Sequence, residues 1–137
     1  MKALDTPVLL SLLEGEPSIR SAIRRWRGEE IATTEANLLE LAVIAASGPA
    51  RGRSHRLGEL GRLRQRLTVL PLDARSAEEG RRHLERGSVA ASPTVIAMLS
   101  ALEAAGCEEL ITDEPARIPG KWRFRVSKIA KGKHQKS

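Results

Sequence analysis

Four carboxylates stand where an open α/β fold would bring them to one edge. Asp5 ends a short apolar run, Glu40 lies inside a helical pattern that follows an Ile/Thr-rich run, and the adjacent Asp113 and Glu114 close the segment ELIT. A parallel sheet delivers the residues at the carboxyl ends of its strands to a shared crevice. Carboxylates gathered there repel one another unless a cation joins them, and an all-oxygen ligand set suits Mg²⁺ or Mn²⁺. A divalent cation so held would activate water toward a phosphodiester. Asp5 also admits a plainer role, because Asp5-Thr6-Pro7 has the composition of a helix cap with proline at the helix start. No Ser–His–Asp grouping competes: His55, His83 and His134 fall in loop, surface-helix and tail contexts. No glycine-rich phosphate loop is present.

The elements that must position these acids follow from periodicity and punctuation. Residues 3–13 read as a strand running into a helical turn, broken by Gly15 and Pro17. Helices are expected over 17–27, 35–47, 54–67, 74–86 and 92–105, with Gly28, Gly87 and Gly106 past three of their ends. Strands are expected at 30–34, 68–73 and 109–112, with an alternating edge strand at 122–126. Strands alternating with helices imply a three-layer α/β/α sandwich around a mostly parallel sheet of four to five strands. We find no internal repeat and no linker. One domain over 1–126 and a basic tail over 127–137 is the expected division.

The chain has 137 residues, enough for one core, and that core must be aliphatic because Tyr is absent and Phe occurs once. No apolar stretch approaches a membrane span and no signal-peptide pattern opens the chain, so a cytoplasmic protein without a membrane partner is expected. The single cysteine, Cys107, excludes an internal disulfide and a cysteine-based zinc cluster, and reads as a small buried residue. Of the net charge of +6, four charges belong to lysines of the last eleven residues. That segment suits a phosphate backbone, or simply keeps the terminus solvated.

Three motifs in order resemble the PIN domains, and among them the VapC-type toxin ribonucleases. Leu4-Asp5-Thr6-Pro7-Val8-Leu9 resembles the family's opening leucine–aspartate–threonine–x–valine–leucine. Thr33-Thr34 with Asn37-Leu38-Leu39-Glu40-Leu41 resembles the second motif, and Leu110-Ile111-Thr112-Asp113-Glu114 the last. Strict alignment puts Glu114 in the final aspartate's place and Asp113 one residue early. The family's third acid, which starts the helix SPTVIAMLSALEAAG, falls at Thr94. A hydroxyl there does not replace a carboxylate, although it can hold water near a cation. Glu103 lies roughly 13 Å along the same helix and cannot substitute. Glu35 is turned away from the face that carries Glu40 and suits the helix dipole instead.

The resemblance implies Mg²⁺- or Mn²⁺-dependent endonucleolytic cleavage of RNA. Asp5, Glu40 and Asp113 or Glu114 would hold the metal, Thr6 would orient a carboxylate through its hydroxyl, and Thr94 and Thr112 would support the site. Arg51, Arg53 and Arg56, with Lys128, Lys131 and Lys133, would position the RNA backbone without reading bases. Trp26 and Trp122 are expected to pack and not to stack on bases. The family also implies a homodimer, with helices 17–27 and 54–67 as candidate interfaces, and an antitoxin protein as a possible partner. Loss of the third acid opens an alternative: a degenerate PIN domain that binds RNA or a protein without cutting.

Overall fold

A computed structural model describes residues 1–87 and 91–129. The chain runs β1 (Lys2–Leu4), α1 (Thr6–Leu13), α2 (Pro17–Arg25), β2 (Ile31–Thr34), α3 (Glu35–Ser47), α4 (Arg53–Gln65), β3 (Thr68–Leu70), α5 (Ala74–Glu85), α6 (Pro93–Ala105), β4 (Glu109–Thr112), a 3₁₀ turn at Pro115–Arg117, and β5 (Arg125–Lys128). The five strands form one sheet in the order β3-β2-β1-β4-β5, and every pairing is parallel. This is the expected α/β sandwich. The strand order reverses between β1 and β4, so the crevice at their carboxyl ends is the switch point where such sheets accept ligands.

Alternation along the central strands divides the core into two layers. Leu4 and Ile111 point to one face and pack with Val8, Leu9, Ile19, Ala22, Leu38, Leu41 and Leu63 from α1 to α4. Ala3 and Leu110 point to the other and meet Met98, Leu99 and Leu102 of α6 with Cys107 and Phe124. Helix α5 lies outside α6, where Gly80 allows close approach: a Cβ there would stand 2.4 Å from Ser100 Oγ. Burial pushes the Cys107 thiol upward, away from thiolate chemistry.

The sequence differs from the structure mainly at element ends. The segment 3–13 is two elements, because Asp5 both follows β1 and caps α1 with its side chain. β3 stops at Leu70, since Pro71 has no N–H for the ladder. The last strand lies at Arg125–Lys128 and not at 122–126. Trp122 gives its indole N–H to Pro119 O (2.8 Å) and stacks near Phe124, while the Arg123 N–H points to the Glu103 carboxylate (3.3 Å). These groups are committed before the ladder begins, and Glu109 opposite Arg125 is its first pair.

His83 is another correction. Its ring is 12% exposed, stacks on Trp122 with centroids 3.6 Å apart, and sets Nε2 3.3 Å from the Glu103 carboxylate. This cluster sits where β5 begins, at the end of the sheet opposite Asp5. His55 is exposed on α4, 3.8 Å from Glu59, and His134 lies outside the described residues.

Candidate functional site at the ends of β1, β2 and β4

Register determines what faces Asp5. Leu4 pairs with Ile111, and the Asp5 N–H donates to Ile111 O at 3.0 Å, which sets Asp5 against Thr112 at the end of β4. Its carboxylate is 2% exposed. Oδ1 accepts the Thr6 N–H (2.8 Å), and Oδ2 accepts the Thr112 hydroxyl (2.7 Å) and a short contact from Arg117 Nη2. The hydroxyl that orients Asp5 is therefore that of Thr112. The Thr6 hydroxyl instead accepts from Asn37 Nδ2 at 3.0 Å.

Asn37 ties α3 to the start of α1. Thr34 caps α3 by accepting the Asn37 N–H (3.3 Å) and donates its hydroxyl back to Asn37 Oδ1 (2.6 Å), while Nδ2 also reaches Met98 Sδ at 3.2 Å. Beside it, Thr33 donates to Leu4 O at 3.0 Å and clamps β2 to β1. All of these side chains but Arg117 are buried, where an unmatched donor costs more than a made bond gains. Asn37→Ala should cost about 2–4 kcal/mol of stability by stranding the Thr6 and Thr34 partners and leaving a small void. Urea unfolding measures it, and a cost within experimental error would mean the network does not support the site.

The four acids do not share one pocket. Asp113 is partly exposed beside Arg117, with Oδ1 3.5 Å from Nη2, and Glu114 is exposed at the start of the 3₁₀ turn. Glu40 is exposed one turn beyond Ala36 on α3, and lines a groove of about 440 Å³ together with Thr94 and Ala97 of α6. Among the described residues no three His, Cys, Asp or Glu side chains are grouped as a metal site. Two carboxylates do converge on a single positive charge. Arg117 Nη2 touches Asp5 Oδ2, lies 3.5 Å from Asp113 Oδ1 and 3.3 Å from Thr112 Oγ1. The guanidinium stands in for a cation there. Mg²⁺ is ordinarily held by one or two carboxylates, water and substrate phosphate. Asp5 and Asp113 are the two carboxylates that could hold a divalent cation there, while Glu40 and Thr94 line a groove whose walls include neither of them.

The basic residues are dispersed. Arg56 donates from each of its three nitrogens to main-chain carbonyls of Ala45, Arg51 and Pro49, so it clasps the loop between α3 and α4. Arg51 and Arg53 are exposed at that loop, about 20 Å along α3 from its first residue. Lys128 is exposed and pairs in register with Thr112, on the same sheet edge as Asp5. Lys131 and Lys133 lie outside the described residues. Glu35 forms a two-pronged pair with Arg64 (2.6 and 2.7 Å), which holds its carboxyl below the usual range. Arg117 and Asn37 are the site residues that motif reading missed. Asn37 stood in the second motif without a role of its own, and its place three residues after Thr34, which caps α3, is the signal that could have given it one.

The PIN domain family model matches residues 2–114. No curated protein matches the chain. Among solved structures, the chain is similar to VapBC2 of Rickettsia felis bound to a promoter DNA fragment, with a TM-score of 0.77 and 16% identity over 93% of this chain and 97% of that one. It is also similar to DNA-bound VapBC of Salmonella typhimurium (TM-score 0.76, 21% identity, 94% and 98% covered). Mycobacterium tuberculosis VapC20, a toxin that cleaves the sarcin-ricin loop, aligns with a TM-score of 0.57 and 18% identity over 80% and 87%. At such identities the likeness is one of fold.

Proposed function

The chain belongs to the PIN-domain family, and from that premise we propose that it is a divalent-cation-dependent endoribonuclease of the VapC type. The observation that carries the reading is the convergence of Asp5 and Asp113 on one cationic position at the sheet's switch point. When bound there, Mg²⁺ or Mn²⁺ supplies the charge that polarises a scissile phosphodiester and lowers the pKa of the attacking water. The chain's own part is positional. The Thr6 N–H and the Thr112 hydroxyl hold the Asp5 carboxylate in place at the crevice, and Glu40 and Glu114 would be recruited as the further acids of the proposed ligand set. Thr94 lines the groove that Glu40 also lines, at the position where the family resemblance puts an acid. Lys128 would meet the RNA backbone on this edge and Arg51 and Arg53 farther out, with Lys131 and Lys133 as further proposed phosphate contacts; such contacts set position, not sequence. RNA hydrolysis should appear with millimolar Mn²⁺, vanish in excess EDTA and return on re-addition. Hydrolysis that ignores EDTA would contradict the reading. Thr94 favours a second reading, a PIN module that binds RNA or a partner protein without cutting.

Partner binding has a separate support. Leu39, Val43, Ile44, Leu57, Leu72 and Leu84 are exposed, Leu39 by 68%. Leu39 borders the grooves on both sides of α3, and Leu72 continues the band toward α5. In contrast, α2 spends Ile19 and Ala22 on the core, so of the two helices expected at an interface it is a cover of the sheet. We assign the α3 band to a homodimer, leaving the cleft to an antitoxin segment of the kind the VapBC complexes contain. A Leu39→Glu, Val43→Glu variant should run as a monomer in light scattering where the unaltered chain runs as a dimer; a dimer that survives both charges would exclude this face. No helix among the described residues is long and apolar enough to cross a membrane.

A further inference from the structure

We infer that Arg117 is an internal counter-cation that holds the seat between Asp5 and Asp113, so that a divalent ion enters only by displacing its guanidinium. The inference rests on the metal-centre reading above and adds a competitor to it. Asp5 is nine-tenths and more buried, and a carboxylate so placed needs a charged partner. Arg117 supplies one through charge-assisted contacts to Asp5, and its second carboxylate neighbour is Asp113. The Thr112 hydroxyl touches both the guanidinium and Asp5, which fixes where the positive charge sits. Yet the arginine side chain is 37% exposed and leaves from a short 3₁₀ turn, so it has solvent to swing into. Asp5, by contrast, is held by β1, by its cap on α1 and by Thr112. The fixed partner is the acid and the movable one is the base.

Competition of this kind has a readable size. A seat occupied by the guanidinium for about 90–99% of the time weakens apparent cation affinity roughly 10- to 100-fold. Arg117→Gln removes the charge and keeps a polar side chain, too short to span to both carboxylates. Calorimetric titration with MnCl₂ should therefore find the variant about 10- to 100-fold tighter than the unaltered protein, and no binding in Asp5→Asn. On the unaltered protein, phenylglyoxal modification mapped by mass spectrometry should rise at Arg117 when Mn²⁺ is added, because the displaced guanidinium is exposed. That second readout stands whether or not the variant folds. Equal Mn²⁺ affinity in both proteins, with Arg117 modification unchanged by Mn²⁺, would overturn the competition and leave the metal reading intact. Absence of Mn²⁺ binding by both folded proteins would overturn the metal reading itself, and the competition with it.

Discussion

Asp5→Asn is expected to reduce RNA cleavage by about 10³-fold or more, the scale lost when a group that places charge at the reacting centre is removed. The substitution is nearly isosteric, so the Thr6 N–H still has an oxygen to meet and α1 keeps its cap. What it removes is the negative charge that faces Arg117 and any incoming cation. Stability should fall by about 2–4 kcal/mol, because the Thr112 hydroxyl and Arg117 lose a charged acceptor. The two effects are separable by assaying the variant well below its melting temperature, with circular dichroism confirming the fold. Cleavage by folded Asp5→Asn at the level of the unaltered protein would place the activity elsewhere.

Thr94→Asp is expected to act in the opposite direction, raising cleavage and Mn²⁺ affinity by about 10-fold or more, equivalent to roughly 1.4 kcal/mol of added stabilisation. The site is prepared for it. Thr94 is half-buried in the first turn of α6 and shares a groove with Glu40, and that turn contains no acid. A carboxylate near a helix N-terminus is favoured by about 0.3–1 kcal/mol, which offsets its repulsion with Glu40 when no cation is bound. The expected pattern is tighter Mn²⁺ binding by calorimetry and faster turnover on the same RNA. If the added acid leaves both unchanged, position 94 does not belong to the ligand set, and the helix start is a structural feature only.

Asp5, Thr112 and Asp113 were legible because they sit at element ends, where side-chain chemistry and backbone geometry coincide. Asp5 was readable either as a strand-end acid or as a helix cap, and it is both, since one residue separates β1 from α1. Ser92 and Pro93 marked the start of α6 through ordinary capping preferences. Helix α3, from Glu35 to Ser47, was read to the residue from its apolar periodicity, and Thr34 caps it in the structure. The hidden parts depend on contacts between distant segments. Arg117 is 112 residues from Asp5 and reaches it only because β4 pairs with β1 and Pro115 turns the chain back. Which threonine orients Asp5 depends on register, and register across a parallel sheet has no local signature. Likewise, His83 looked like a surface residue because its helix is polar, but Trp122 arrives from the chain beyond β4 to cover it.

Arg56 shows the limit of reading charge as function. An arginine-rich loop in a basic chain suggests a nucleic-acid contact. Three carbonyls at the end of α3 and in the following loop absorb its guanidinium instead. Lys128, read in the sequence as part of the basic tail, is carried by strand register to the edge where Asp5 lies.

The most direct measurement is a calorimetric titration of the unaltered protein with MnCl₂ beside an identical titration of Asp5→Asn. The account predicts one saturable site in the unaltered protein, weakened by Arg117 yet reached at millimolar Mn²⁺, and none in the variant. A folded protein that takes up no Mn²⁺, or an Asp5→Asn variant that binds it equally well, would contradict the claim that Asp5 founds a cation-dependent nuclease centre.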